Sequence, residues 1–204
     1  MDVERVVYTI GHSNHALTRF LHLLRVHRID AIGDVRSAPY SRRFPWFGRE
    51  ALQRALHARG IAYVFLGAAL GARPSDPECT SDGRVCFARL AATPAFRAGL
   101  GRVLRGSSTH RLALLCAEKD PLHCHRAILV GRELARRGVR ILHIQGDGSL
   151  ERHEESERRL LGLLGLAQGE LFESPEHVLE RAYDLQGERI AWAVPPSPPP
   201  GSVE

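Results

Sequence analysis

The stretch VVYTIGHSNHALTRFLHLL, residues 6–24, contains the unit that decides the fold. Residues 6–10 are mostly β-branched or apolar and predict a buried strand. A polar loop follows at residues 11–14. Apolar residues then recur at helical spacing: Leu17, Phe20, Leu21 and Leu24. The stretch therefore predicts a strand, a loop and a helix in succession.

The same unit recurs along the chain and predicts an α/β fold. Further strands are predicted over residues 30–35, 61–66, 112–116 and 139–144, and helices over residues 49–59, 87–104 and 121–137. Pro94 and Pro121 each follow a residue that can cap a helix. Strands that alternate with helices imply right-handed crossovers. We therefore expect a single open, mainly parallel sheet of about five strands, with helices on both faces.

The composition changes in the last quarter of the chain. Residues 5–150 are predicted to form the α/β core domain. Residues 151–190 contain charged and amphipathic segments, including a second helix over residues 175–183, and predict a C-terminal helical extension that packs on the core. Residues 195–204 are rich in proline and predict a disordered tail.

Composition and charge narrow the functional classes. Hydrophobic residues make up 44% of the chain and charged residues 25%, as in globular proteins. The first apolar run is too short for a signal peptide or a membrane helix, so we expect a cytoplasmic protein without a membrane partner. The four cysteines are then free thiols, ligands or nucleophiles rather than a disulfide framework. A net charge of +5 (28 − 23) is weakly indicative of a polyanionic partner.

Polar residues follow the carboxyl ends of the predicted strands, where open parallel sheets bind ligands. His12, Ser13 and Asn14 follow the first strand, and the second ends in Asp34 and Arg36. Fewer reactive or anion-binding residues lie near the opposite ends of the predicted strands. This asymmetry predicts a crevice that binds a ligand, although loops are polar in general.

The loop of residues 36–49, here called the arginine–aromatic loop, mixes guanidinium groups with aromatic rings. Its members are Arg36, Tyr40, Arg42, Arg43, Phe44, Trp46, Phe47 and Arg49. Arginines contact phosphates while aromatic faces stack on bases, so the mixture suits a nucleotide or a single strand. The alternative is that the aromatic residues anchor a long loop on the core.

The segment CAEKDPLHCHR, residues 116–126, concentrates reactive groups. Cys116 ends a strand just before a helix N-terminus, a position that activates thiols, and Glu118 is a candidate acid or base. Cys124 is either a second reactive thiol or, in a helix that begins at Pro121, a small buried hydrophobe. A cysteine phosphatase is excluded, because Leu122 stands where that family requires arginine.

The same segment contains candidate metal ligands. His123, Cys124 and His125 are consecutive, and consecutive residues of a helix point apart, whereas tetrahedral sites use spaced ligands. The pairs Cys116/Cys124 and His12/His15 could still converge through folding. We assign no metal and no cofactor from the sequence, and the oligomeric state is undetermined.

Thirteen residues form the predicted site. The candidate catalytic residues are Cys116, Glu118, Cys124 and Asp34, and the candidate substrate-binding residues are His12, Ser13, Asn14, Arg36, Arg42, Arg43, Trp46, His125 and Arg126. Arg36 and Arg126 are expected to hold one phosphate between them, because each follows a strand end by a short loop. Alternatively, Arg126 pairs with Glu118 or Asp34 and fixes the loop.

Several short motifs, taken together, resemble the family called domain of unknown function 488. They are residues 8–14, residues 34–37 with 41–43, Tyr63 with residues 66–67, residues 116–118 with 124–126, and residues 143–144 with 146–148. The resemblance extends over roughly residues 5 to 190, and His15 stands where arginine is usual. It implies an α/β domain linked to DNA repair or nucleic-acid metabolism, and it names no reaction.

These observations favour an enzyme that acts on a phosphate-bearing nucleotide or nucleic acid. Arginines would bind the anion, and Cys116 and Glu118 would supply nucleophilic or acid–base chemistry. One alternative is a non-catalytic module that binds nucleic acid or senses an anion. Another is a thiol redox or sulfur-transfer protein that uses Cys116 and Cys124.

Overall fold

Six strands form one sheet in the computed structural model, which describes residues 5–167 and 173–195. In chain order the strands are β1 (Val6–Gly11), β2 (Ala31–Asp34), β3 (Ala62–Phe65), β4 (Thr80–Ser81), β5 (Arg84–Val85), β6 (Leu112–Cys116), β7 (Arg140–Ile144) and β8 (Leu150–Arg152). The large sheet has the order β3-β2-β6-β1-β7-β8, and β4 pairs with β5 in a separate hairpin. All neighbours in the large sheet are parallel except β7 and β8.

Helices connect the strands. They are α1 (Leu17–Val26), α2 (Arg49–His57), α3 (Gly67–Leu70), α4 (Phe87–Ala92), α5 (Pro94–Ser107), α6 (Arg132–Ala135), α7 (His153–Leu163) and α8 (Pro175–Ile190). A π-helical segment, Arg126–Gly131, runs directly into α6. The break between α4 and α5 confirms the capping signal, since the Thr93 side chain accepts a hydrogen bond from the Phe96 amide. None of the helices in the described part of the chain is long and apolar enough to cross a membrane.

The α/β fold class is confirmed, but the expected count of about five strands was wrong. The additional strand is β8, which pairs antiparallel with β7 at the edge of the sheet. A tight turn at residues 145–149 reverses the chain, with Gly148 at φ +102°. The first residues assigned to the C-terminal extension thus belong to the sheet.

Both faces of the sheet are covered by apolar side chains. On one face Ile10 packs with Phe20 of α1 and Leu52 of α2. On the other face Val7 packs in a cluster with residues of α5 and of the helix that follows the π-helical segment. Each buried side chain of this size contributes roughly 1.5–3 kcal/mol. Burial on two faces explains why the central strands are continuous apolar runs.

The strand order brings three carboxyl ends side by side. β6 lies between β1 and β2, with Gly11 opposite Cys116 and Asp34 opposite Leu115. The loops that follow these three strands therefore meet at one edge of the sheet.

The C-terminal helices are fastened to the sheet by a buried hydrogen-bond chain. The Tyr183 hydroxyl donates its single proton to Glu157 (2.8 Å). It therefore accepts the hydrogen bond that joins it to His153 Nε2 (2.9 Å). His153 Nδ1 then accepts from His143 Nε2 (3.0 Å), and His143 Nδ1 accepts from the Thr9 hydroxyl (2.7 Å). This consistent donor order requires both histidines to be neutral. This chain of hydrogen bonds holds α8 against the sheet. The helix runs to Ile190, whereas the sequence predicted its end at Tyr183. Residues 196–204 of the predicted tail lie outside the described residues.

Acid is expected to destabilise the protein through His153. Burial lowers the pKa of His153 from 6.5 to about 4. The unfolded chain takes up a proton at pH values where the folded chain does not, so the free energy of unfolding falls as the pH drops from about 6.5 to 4. The part due to His153 is on the order of 3 kcal/mol. Urea unfolding at pH 7 and pH 4.5 measures it.

Two variants distinguish the acid destabilisation due to His153 from that due to other titrating groups. His153→Gln should be less stable at pH 7 and should lose less further stability in acid. His22→Gln, at an exposed position of α1, should keep the wild-type pH dependence. An unchanged acid response in His153→Gln would refute the assignment.

Candidate functional site

A cavity of about 520 Å³ lies beyond the carboxyl ends of β1, β2 and β6. It is lined by His12, Arg36, Ser37, Ala38, Tyr40, Ser41, Ala72, Arg73, Phe87, Cys116, Ala117, Glu118, His123, Cys124, His125, Ile190 and Trp192. The lining residues come mainly from the loops after three adjacent strands, from the end of α8 and from the loop after α3. This is the position at which open parallel sheets bind ligands.

Four side chains meet at the floor of this cavity; we call Cys116, Glu118, Cys124 and His125 the thiol cluster. Glu118 Oε2 lies 3.1 Å from Cys116 Sγ and 3.0 Å from Cys124 Sγ. Cys116 Sγ lies 3.6 Å from His125 Nδ1. All four residues had been predicted as site residues, and the structure brings them into contact.

The orientation of His125 is fixed by a backbone carbonyl. Its Nε2 lies 3.0 Å from the Val35 oxygen, and a carbonyl only accepts hydrogen bonds, so Nε2 carries a proton. When the ring is neutral, Nδ1 is therefore the unprotonated nitrogen and faces the sulfurs. A nitrogen held in this way can accept a thiol proton or bind a metal.

Burial and mutual contact displace the pKa values of the cluster. Burial raises the pKa of the Cys116 thiol, and contact with Cys124 raises it further. Burial opposes ionisation of Cys124 too, but the hydrogen bond from Cys116 and the charge of Arg126 hold the Cys124 pKa well below its usual range. Burial raises the pKa of Glu118. Cys124 is thus the thiol of the pair that ionises first.

The backbone around Cys124 differs from the predicted helix. Asp120 caps only a single 3₁₀ turn, Pro121–His123, and Cys124 then adopts an extended conformation. The helix begins at Arg126 with His125 as its N-cap. Cys124 and His125 therefore do not project from successive positions of a helix, which removes the reason for expecting no metal there.

Arg126 fixes the loop that carries Glu118. Its side chain is 1% exposed, and it donates to the backbone oxygens of Glu118 (2.7 Å) and Lys119 (3.0 Å). Arg36 is also buried, and its guanidinium binds Asp34 and the Phe47 carbonyl. The expectation that Arg36 and Arg126 hold one phosphate is corrected accordingly, because both guanidiniums are occupied by protein oxygens.

Asp34 holds Arg36 in place rather than facing a ligand. Its Oδ2 accepts hydrogen bonds from Arg36 Nη2 (2.6 Å) and the Tyr63 hydroxyl (2.7 Å). Its Oδ1 accepts from Arg36 Nε (2.9 Å). This geometry assigns Asp34 a positioning role in place of the catalytic role expected from the sequence.

The loop after β1 contributes one residue to the cavity. His12 lines it and stacks on Phe47, with 4.4 Å between ring centroids. Burial lowers the His12 pKa to about 4, so the ring is neutral. Ser13 and Asn14 are not among the described residues that line the cavity.

The arginine–aromatic loop is anchored at one position and exposed at others. Tyr40 is 74% exposed and lines the cavity, and Arg42 and Arg43 are exposed. Trp46, in contrast, donates its indole N–H to the His15 oxygen (3.2 Å) and packs against the core. Trp46 therefore anchors the loop, and Tyr40 is the ring available for stacking.

Sequence reasoning missed the far side of the cavity. Arg73 and Trp192 face the thiol cluster from the loop after α3 and from the end of α8, and the Arg73 guanidinium lies 5.5 Å from the Trp192 ring centroid. An isolated tryptophan after an amphipathic helix was the available signal. It could not be used without knowing that α8 ends at this cavity.

Comparison with known proteins identifies the family. The model for "Domain of unknown function DUF488" matches residues 16–132. The chain belongs to the DUF488 family. The match confirms the expected family, over residues 16–132 rather than residues 5 to 190, and the matched region of this DUF488 protein includes the thiol cluster, Arg36 and Tyr40. No curated protein and no solved structure matches the chain significantly.

Proposed function

We propose that this DUF488 protein is an enzyme that acts on a phosphate-bearing nucleotide or on nucleic acid. The observation that supports this most is the position of the exposed arginine–aromatic loop, which borders the same cavity as the thiol cluster. A polyanionic substrate held by the loop would reach the reactive groups. A role in DNA repair and a cytoplasmic location, where free thiols stay reduced, belong to the same proposal.

The charge around the cavity suits an anion. Arg73 lines the cavity, Arg42 and Arg43 directly follow the lining residues Tyr40 and Ser41, and all three arginines are exposed. Glu118 is the only carboxylate among the described residues that line the cavity, and it lies at the floor. These arginines would contact the phosphates of the substrate, while its uncharged part enters the cavity.

Two aromatic rings line the cavity. Tyr40 lies on the arginine–aromatic loop and Trp192 follows α8. Bases stack on such rings with about 1–3 kcal/mol each, largely independent of sequence. The pair could hold an unstacked base above the thiol cluster.

The thiol cluster supplies the chemical groups. Glu118 and His125 can exchange protons with a reacting group, and Cys116 and Cys124 offer sulfur as a nucleophile or ligand. Arg126 fixes the backbone of Glu118, and Asp34 fixes Arg36, which also lines the cavity.

Binding of a fluorescent single-stranded oligonucleotide, followed by anisotropy, tests the proposal. Affinity should fall as salt rises, because the arginines release counterions. Tyr40→Ala should weaken binding by about 1–3 kcal/mol. Arg42→Ala with Arg43→Ala should weaken binding and reduce the salt slope by about 2.

The matched control is Arg25→Ala. Arg25 is exposed on α1, near the opposite end of the sheet, and its replacement removes one charge without touching the cavity. Equal loss in Arg25→Ala and in the loop variants would show nonspecific attraction. Binding at low salt without any chemical change in strands or nucleotides would favour the non-catalytic alternative.

The proximity of two thiols favours a second candidate, a thiol redox or sulfur-transfer protein. Cys116 Sγ and Cys124 Sγ lie within 4.8 Å of one another. Oxidised glutathione would join them as a disulfide and release two glutathione thiols. Mass spectrometry after such treatment distinguishes this candidate, which requires the Cys116–Cys124 bond to form readily and reversibly.

A further inference from the structure

We propose that Cys116, Cys124 and His125 bind a zinc ion at the floor of the cavity. Their two sulfurs and His125 Nδ1 all lie within 4.8 Å of one another. The three residues come from the end of β6 and from the turn before the π-helical segment, and all three line the cavity. Two thiolates and one imidazole are ligands that zinc prefers.

The spacing of the ligand atoms matches tetrahedral zinc. With Zn–S near 2.3 Å and Zn–N near 2.0–2.1 Å, a tetrahedral angle places sulfur and nitrogen roughly 3.6 Å apart. The distance from Cys116 Sγ to His125 Nδ1 is 3.6 Å. An ion can therefore enter with little movement of these two side chains.

Outer contacts orient the ligands as in metal centres. The His125 Nε2–H donates to the Val35 oxygen (3.0 Å), which turns Nδ1 toward the sulfurs. The Arg126 amide donates to Cys124 Sγ (3.4 Å), a contact that stabilises a thiolate. Both contacts come from the backbone and persist whatever occupies the cavity.

Charge balance also favours a divalent ion. On binding, the ion displaces to solvent whatever protons Cys116, Cys124 and His125 Nδ1 carry, and two thiolates with a neutral imidazole leave the centre without net charge. A neutral centre avoids the cost of burying an isolated charge among side chains that are almost fully buried.

Three protein ligands leave a fourth position for a molecule from the cavity. Zinc at such a centre lowers the pKa of bound water, and Glu118, beside both sulfurs, is placed to accept its proton. This catalytic part rests on the proposed function and implies hydrolysis. Metal binding itself is tested without any substrate.

The experiment uses full-length protein depleted of metal with a chelator. Zn²⁺ is added in competition with a chromophoric chelator, and one tightly bound ion per chain is expected. Co²⁺ in place of Zn²⁺ should give thiolate-to-cobalt charge-transfer absorption. Cys116→Ser and Cys124→Ser should each weaken zinc binding more than about 100-fold, beyond what loss of an outer contact costs. Cys79→Ser, an equally buried thiol elsewhere, should bind zinc like the wild type.

A measurement on the wild type keeps the test valid if a variant fails to fold. Zinc should protect Cys116 and Cys124 from iodoacetamide and leave the labelling of Cys86 unchanged. Absence of stoichiometric zinc, with Cys116 and Cys124 labelled equally with and without metal, would overturn the proposal. Oligonucleotide binding is scored separately, so failure of the metal centre and failure of the nucleic-acid function give different results.

Discussion

Asp34→Ala is expected to lower the free energy of unfolding by roughly 3–5 kcal/mol, because it leaves a buried guanidinium without its counter-charge. Asp34 is fully buried and Arg36 is 5% exposed. The pair is bidentate, with Nε–Oδ1 and Nη2–Oδ2 distances of 2.9 and 2.6 Å. Without Asp34, the Arg36 guanidinium would keep, among the described residues, its hydrogen bond to the Phe47 carbonyl (2.8 Å). Urea unfolding at neutral pH measures the loss.

Two controls isolate the buried charge as the cause. Tyr63→Phe removes only the hydrogen bond from the Tyr63 hydroxyl to the Asp34 carboxylate and should cost about 1.5 kcal/mol. Asp34→Ala combined with Arg36→Leu removes both charges and should be more stable than Asp34→Ala alone. If Asp34→Ala costs no more than Tyr63→Phe, the guanidinium finds water or another acceptor, and the argument fails.

The central part of the fold was predictable because it depends on local patterns. Strands such as residues 112–116 are apolar runs between breakers, and the sequence located that strand at the residues where it is found. β8 was missed, because Leu150–Arg152 is short and polar and becomes a strand only when the turn at Gly148 lays it beside β7. The pairing with β7 that makes these residues a strand is a tertiary contact, and the local sequence does not reveal it.

Several of the predicted site residues lie together at one edge of the sheet, but their roles could not be predicted from the sequence. Topology placed Cys116, Glu118 and Asp34 at one edge of the sheet, as the rule for open sheets requires. Whether an arginine faces a ligand or a carbonyl depends on neighbours distant in sequence, so the sequence left open whether Arg126 binds a phosphate or fixes the loop. The helix predicted from Pro121 failed because Arg126 reaches back to the loop and Cys124 takes an extended conformation.

Gly11→Ala is expected to destabilise the protein by roughly 3 kcal/mol, because the last residue of β1 lies directly beneath the loop that carries Glu118. A Cβ at Gly11 would lie 1.8 Å from the Glu118 carbonyl oxygen and 3.1 Å from Arg126 Nη1. The obstruction is backbone, which cannot rotate away as a side chain can. Thermal and urea unfolding measure the effect.

The control variant is expected to change the free energy of unfolding in the opposite direction. Gly162 lies in α7, and a Cβ there meets nothing within 4 Å, so Gly162→Ala should raise stability by about 0.4–1 kcal/mol.

Gly11→Ala should also move Glu118 away from Cys116 and Cys124, because relief of the overlap requires the Glu118 backbone to shift. Iodoacetamide labelling of those two thiols should then change in the folded variant, while labelling of Cys86 stays as in the wild type. Equal stabilities for the two glycine variants, with unchanged labelling, would mean that the loop is not held against β1 as described.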